Sequence, residues 1–385
     1  MVSLRAETLD VAEFAAGLAP SDPQAHYALA VIYDRTLLAD DQQRSLKEYE
    51  TAVALSPHNY LLWVEYGKAL GRAGEAEKAE AALRRAQELA PHYSSVQWAL
   101  GNLLIRNNKV DEGFSEIRSA VEGDRTYAAP TAAFAYQYFD GDLTRVRGVT
   151  AASAETNASL ALLLAGAKRL DDAVTVWQSI DHSGDDENMA AAGRSLAAGL
   201  ISAKRFGLAM QLGSSQDTET RAKPETLFDG NFEEDIKLEG ASDWDWRFSP
   251  GAQPQPLQTT AGPHSGTKSL LLRFASNDGA SLRQLSQTVV VKSESAYSLN
   301  GYYRSEMKTS SRLVWQVLNA ADGSVLAETP INSETTQWTP FTVAFTVPGS
   351  LDGVVVRFIV TGCGSAICPI NGNLWFDDLT IASAH

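Results

Sequence analysis

Residues 60–91 read YLLWVEYGKALGRAGEAEKAEAALRRAQELAP. Trp63, Tyr66, Gly67 and Leu70 recur at the spacing of one helix face, and Ala79, Leu83 and Ala86 at that of a second. The small residues Gly67 and Ala79 let the two helices approach, while Trp63, Leu70 and Leu83 fill the space between them. Pro91 closes the unit, and it stands thirty-four residues after Pro57, which stands thirty-four after Pro23. The next beat falls on Arg125. A period of that length marks a helix–turn–helix unit that buries its apolar face only by stacking into a solenoid.

Looser copies flank the clear one. Leu29, Ile32, Tyr33, Ser45, Tyr49, Ala52 and Pro57 form the copy before it, and Leu100, Gly101, Leu104, Gly113, Ile117 and Ala120 the copy after. The pattern resembles the tetratricopeptide repeat. Residues 159–168 with 170–180, and 190–204 with 206–212, read as two further pairs that share the phrases Ala167-Lys168-Arg169-Leu170 and Ala203-Lys204-Arg205-Phe206. The expectation is an α-solenoid of about six hairpins over residues 1–215. The resemblance implies that the first helix of each pair lines a concave groove for a protein partner. Tyr27, Asp34, Leu61, Lys68, Trp98, Asn102 and Tyr136 would face it. Val64 and Trp98 stand where the family's carboxylate-clamp Lys would sit, which argues against that mode of binding.

A polar stretch around residues 216–225 breaks the helical pattern and reads as a linker. Beyond it, 269–274, 287–291, 296–304, 312–318, 339–347, 354–360 and 374–381 alternate as strands, separated by turns such as Asp278-Gly279, Asp322-Gly323 and Asp352-Gly353. Residues 226–385 are therefore expected to form a β-sandwich of roughly nine or ten strands. The fold class is multidomain α + β: an α-solenoid followed by an antiparallel sandwich.

Phrases of this second half resemble a carbohydrate-binding-module jelly roll in order along the chain. They are Leu227-Phe228-Asp229-Gly230-Asn231-Phe232-Glu233, then Trp244 or Trp246, then His264-Ser265-Gly266-Thr267-Lys268-Ser269-Leu270. The strands beginning at Gln287 and Tyr297, Trp338, and Trp375-Phe376-Asp377-Asp378-Leu379 follow. The resemblance implies a sugar site on one sheet face. If Tyr297, Leu299, Gly301 and Tyr303 face the core, then Ser298, Asn300, Tyr302 and Arg304 face outward, with Arg273 and Arg357 on outward faces of other strands. Trp315 is a further candidate, although its parity with Leu313 and Val317 points it inward. Trp338 and Phe376 are expected in the core. The resemblance also implies a structural calcium held by Glu233, the Lys268 carbonyl and Asp377, a set of hard oxygens. The alternative is that these carboxylates cap a turn or pair with Lys268.

Net charge is −15 and divides almost evenly between the halves, so there is no basic domain, and nucleic acid is not an expected partner. No run of eighteen apolar residues suggests a transmembrane helix. Cys363 and Cys368, separated by four residues of which one is a Gly, suit a small disulfide loop in an oxidising compartment, with two reduced thiols as the alternative. No phosphate loop, nucleophile phrase or zinc-protease pair is present, so no enzyme is expected. These readings predict a non-catalytic scaffold. Its solenoid would dock a protein and its sandwich would bind a polysaccharide or envelope component, as in polysaccharide export or surface assembly. The alternatives are a purely protein-assembling factor and an accessory part of a carbohydrate-active enzyme. The expected location is periplasmic or extracellular, with any anchor outside this sequence, and cytoplasmic is the alternative.

Overall fold

The computed structural model describes residues 8–36, 38–182, 184, 186–214, 222–277, 282–362 and 368–384. It divides into two compact units, residues 1–184 and 185–385. The first unit contains α1 (Leu9–Leu18), α2 (Pro23–Thr36), α3 (Ala39–Leu55), α4 (Tyr60–Arg72), α5 (Ala76–Leu89), α6 (Ser94–Arg106), α7 (Val110–Gly123), α8 (Ala128–Tyr138), α9 (Leu143–Thr150), α10 (Ala154–Gly166) and α11 (Leu170–Gln178). From α2 onward these pack as consecutive pairs, each even-numbered helix against the next. The beat at Arg125 is occupied by a single 3-10 turn, Arg125–Tyr127, ahead of α8.

The pairing follows from the residues. An added Cβ at Gly67 would lie 2.7 Å from Leu83 Cγ and 3.2 Å from the Ala79 carbonyl oxygen, so the close approach read from the sequence is present. The hairpin turns pass through left-handed residues thirty-four apart, Gly74 (φ 82°) and Asn108 (φ 63°). Gly and Asn tolerate that region best. Side chains of Asn59, Asp142 and Ser153 accept N–H groups in the first turns of α4, α9 and α10.

The second unit opens with one more helical pair, α12 (Glu187–Ser202) and α13 (Phe206–Ser214). The sequence reading grouped this pair with the solenoid; the structure places it in the same compact unit as the sandwich. Most of the expected linker, up to residue 221, lies outside the described residues. Ten strands follow: β1 (Arg247–Phe248), β2 (Gln255–Thr259), β3 (Ser269–Ser276), β4 (Leu285–Val290), β5 (Ala296–Lys308), β6 (Arg312–Asn319), β7 (Val325–Ile331), β8 (Glu334–Thr346), β9 (Gly353–Thr361) and β10 (Ile370–Ser383). They form two five-stranded sheets, β1-β4-β9-β6-β7 and β2-β3-β10-β5-β8. All named pairings within them are antiparallel.

Alternation builds the core between the sheets. In β5, Tyr297, Leu299, Tyr303 and Met307 are buried, while Ser298, Asn300, Tyr302 and Arg304 point to the opposite face. Trp315 is wholly buried, stacked on Phe341 at 5.7 Å and edge-on to Phe376 at 5.0 Å. An indole in that position contributes several kcal/mol, about 3–5 on truncation to Ala. The β5–β10 register shifts between Asp377 and Thr380, and Asp378 sits at φ 51°. That irregularity turns Asp377 and Asp378 toward the loop preceding β3.

Candidate binding sites

In the helical unit, α4 and α6 bring three of the expected groove residues together. Lys68, Trp98 and Asn102 line a cavity of about 340 Å³ with Gly71, Arg72 and Arg106. Helical spacing produces the cations: Lys68 and Arg72 are four apart on α4, and Arg106 is four beyond Asn102 on α6. Lys68 pairs with Glu65 at 2.8 Å and Arg72 with Asp34 at 2.5 Å, whereas Arg106 has no carboxylate partner among the described residues. Trp98 both lines the cavity and packs on Tyr127, with ring centres 5.0 Å apart. Tyr27 instead packs edge-on to Tyr49 at 6.1 Å, and the Tyr136 hydroxyl lies 3.4 Å from Arg169 Nη1. Leu61 is exposed. Arg72 and Arg106 were not singled out in the sequence, although the spacing from Lys68 and Asn102 would have found them.

The expected sugar site divides. Trp315 is in the core and cannot meet a ligand. Arg357 lies on β9 of the opposite sheet, where its Nε donates to Gln316 Oε1 at 2.9 Å. Burial holds its guanidinium below the usual arginine range. Asn300 is tied by hydrogen bonds to Ser298 Oγ (3.0 Å) and Thr342 Oγ1 (2.9 Å). Tyr302 and Arg304 do sit together, in company that the sequence did not suggest. The His264 ring stacks on Tyr302 with centres 3.7 Å apart and meets Trp338 edge-on at 5.8 Å. The Arg304 guanidinium carbon lies 4.2 Å from the Trp375 ring centre and 5.6 Å from that of Trp338. Trp338, expected in the core, is half-buried on this outer face because it is out of phase with Phe341, Val343 and Phe345, the inward residues of β8. Its indole N–H donates to the Gly262 carbonyl.

The loop bearing His264 is held from below by carboxylates. Asp377 Oδ2 accepts the N–H groups of His264 (2.8 Å) and Ser265 (3.2 Å). Asp378 takes the Ser265 hydroxyl and lies 2.6 Å from His264 Nδ1. Glu233 Oε1 accepts the N–H groups of Thr267 (2.6 Å) and Lys268 (3.0 Å), while Lys268 Nζ donates to the Glu233 carbonyl and pairs with Asp235. The carboxylates expected at a calcium thus act here as acceptors for one loop. Hydrogen bonds from Thr267 and Lys268 hold the Glu233 carboxyl low, and burial pushes the Asp377 carboxyl up. Among the described residues no group of three or more His, Cys, Asp or Glu side chains is placed to hold a metal ion.

A second cavity, about 360 Å³, lies beside the opening phrase of the sandwich and was not anticipated. Asp229, Glu234, Asp235, Lys237, Asp245 and Trp246 line it. Burial is the largest influence on Asp229, whose carboxyl is pushed up to about 6. Cys368 is buried and disulfide-bonded, and Cys363, the only other cysteine of the chain, lies outside the described residues. No described helix is long and apolar enough to cross a membrane.

No family model matches the chain, and no curated protein matches it. Solved structures resemble parts of it. A CBM4 structure is 17% identical over 41% of this chain and 99% of its own, with a TM-score of 0.31. The CBM22-1 xylan-binding domain from Paenibacillus barcinonensis Xyn10C is 15% identical over 42% of this chain and 96% of its own (TM-score 0.29). YrrB, described as a TPR protein with an unusual peptide-binding site, is 12% identical over 55% of this chain and 95% of its own (TM-score 0.29). The class of protein is thus a helical-repeat region joined to a two-sheet β-sandwich, and the likenesses, at these scores, assign no activity.

Proposed function

We propose that this chain is a non-catalytic scaffold. Its helical groove docks an acidic segment of a partner protein, and its sandwich engages a polysaccharide. The observation that carries the reading is the cavity between α4 and α6. Three cations and an amide converge there in a chain of net charge −15, beside the partly exposed Trp98. Arg106 is the cation with charge to spare, and an indole next to an arginine is the usual make-up of a binding hot spot. Envelope localisation, with a Cys363–Cys368 bond formed in an oxidising compartment, belongs to the same proposal.

Isothermal titration of the full chain with acidic, neutral and basic decapeptides tests the docking reading. Acidic peptides should bind, and their affinity should fall steeply with added salt. Equal affinity for all three classes would refute it. A second reading, in which the sandwich is only a rigid spacer, draws support from the hydrogen bonds that occupy Asn300 and from the His264 ring over Tyr302. A blank screen of the chain against neutral and acidic polysaccharides would favour that reading.

A further inference from the structure

The outer face of the β2-β3-β10-β5-β8 sheet holds an arginine in an unusual state. Arg304 is flanked by Trp375 and Trp338, its Nε is buried without a hydrogen-bond partner, and no carboxylate among the described residues pairs with it. Glu306, two residues further along the same face of β5, forms no ion pair with it. Arg273 stands on the same face of β3 and likewise has no carboxylate partner among the described residues. Trp375 lies opposite both Leu271 and Arg304, and Asn373 lies opposite Arg273. The two arginines are therefore two strands and two residues apart, about 12 Å between their Cα atoms from standard sheet spacings.

We propose, resting on the polysaccharide reading above, that this face takes an acidic glycan, one whose rings carry carboxylates. Stacking on indoles fixes the guanidinium plane and strips part of its water. Its Nη groups are left to grip a planar carboxylate. The half-buried Trp338 suits the apolar side of a sugar ring, whereas the His264 ring already covers one face of Tyr302. Arg273 lies one short step further along and would meet a second carboxylate of the same strand. An acidic protein segment would satisfy the arginines but would leave the indole of Trp338 without a sugar ring to stack on it, so the glycan is favoured.

The test is binding of the full chain to polygalacturonate, alginate, fully methyl-esterified polygalacturonate and poly-L-glutamate, followed by biolayer interferometry at two salt concentrations. Polygalacturonate or alginate should bind at least tenfold more tightly than the esterified polymer and than poly-L-glutamate. Arg304→Gln and Arg273→Gln should each remove most of that preference, with an unchanged melting temperature. Trp338→Leu should weaken the acidic and esterified polymers alike. Equal binding of esterified and free polymers overturns the acidic preference and leaves the polysaccharide reading standing. Equal binding of poly-L-glutamate reduces the face to a charge patch and overturns the inference. Binding of none of the polysaccharides overturns both.

Discussion

Gly101 and Gly113 lie back to back across α6 and α7. A Cβ added to Gly101 would fall 2.7 Å from the Gly113 carbonyl oxygen, and one added to Gly113 would fall 2.8 Å from that of Gly101. Replacing a helical Gly by Ala ordinarily stabilises by about 1 kcal/mol. Here the obstacle is backbone, which cannot rotate away. Gly101→Ala should instead destabilise the helical unit by about 1–3 kcal/mol in urea unfolding. A stabilised variant would show that the two helices are further apart than described.

Asp352 joins the last helical pair to the sandwich. Its two carboxylate oxygens accept the N–H groups of Phe206 (3.2 Å) and Gly207 (2.9 Å) at the start of α13, and Phe206 packs on Gly353. Asp352→Ala should cost about 0.5–2 kcal/mol, the usual loss of a helix cap. A fragment beginning at residue 186 should also melt at a higher temperature than one beginning at residue 222. Equal melting of the two fragments would detach the pair from the sandwich.

Asp229 makes stability depend on pH in an identifiable window. Its folded-state carboxyl titrates at about 6, above the ordinary 3.8, because burial disfavours the charge. The folded state therefore holds a proton that the unfolded chain has released. The stabilisation is complete below about pH 4 and is lost as pH rises through about 6. Asp229→Asn keeps an acceptor for the Glu234 N–H and removes the charge. It should raise the melting temperature at pH 7.5 and leave it unchanged at pH 3.5. A variant that melts below the parent at pH 7.5 would contradict the burial argument.

Glu233 has the opposite sign. Thr267 and Lys268 donate to its carboxylate and hold its folded value low. Its contribution is present above the unfolded value and disappears as pH falls toward the lower folded one. Glu233→Gln should flatten the acid limb of the melting curve below about pH 4.5. If calcium also joins Glu233 and Asp377, chelator should lower the melting temperature of the parent and leave that of Asp377→Asn unchanged. A parent insensitive to chelator removes the ion from the account.

Much of this fold is legible in the sequence because it is written in local periods. The thirty-four-residue beat places α4 to α7, and the alternation of Tyr297, Leu299, Tyr303 assigns both faces of β5. The strands that sequence reading missed, β1, β2 and β7, are all at sheet edges. An edge strand buries little, so β7 carries Pro330 and an exposed pattern with no clean alternation. The sites are less legible because they depend on distant pairs. His264 reaches Tyr302 only when a loop closes over the sheet, and Trp338 reads as core until its phase against Phe341, Val343 and Phe345 is followed along β8.

The groove gives the most direct test of the scaffold reading, by fluorescence anisotropy of a labelled acidic decapeptide with the full chain and with Arg106→Glu. Arg106 is exposed and unpaired among the described residues, so its reversal should leave folding intact. The account predicts at least tenfold weaker binding of the acidic peptide, about 1.4 kcal/mol or more, and a gain for a basic peptide of the same length. Unchanged affinity for the acidic peptide in the folded variant would contradict it.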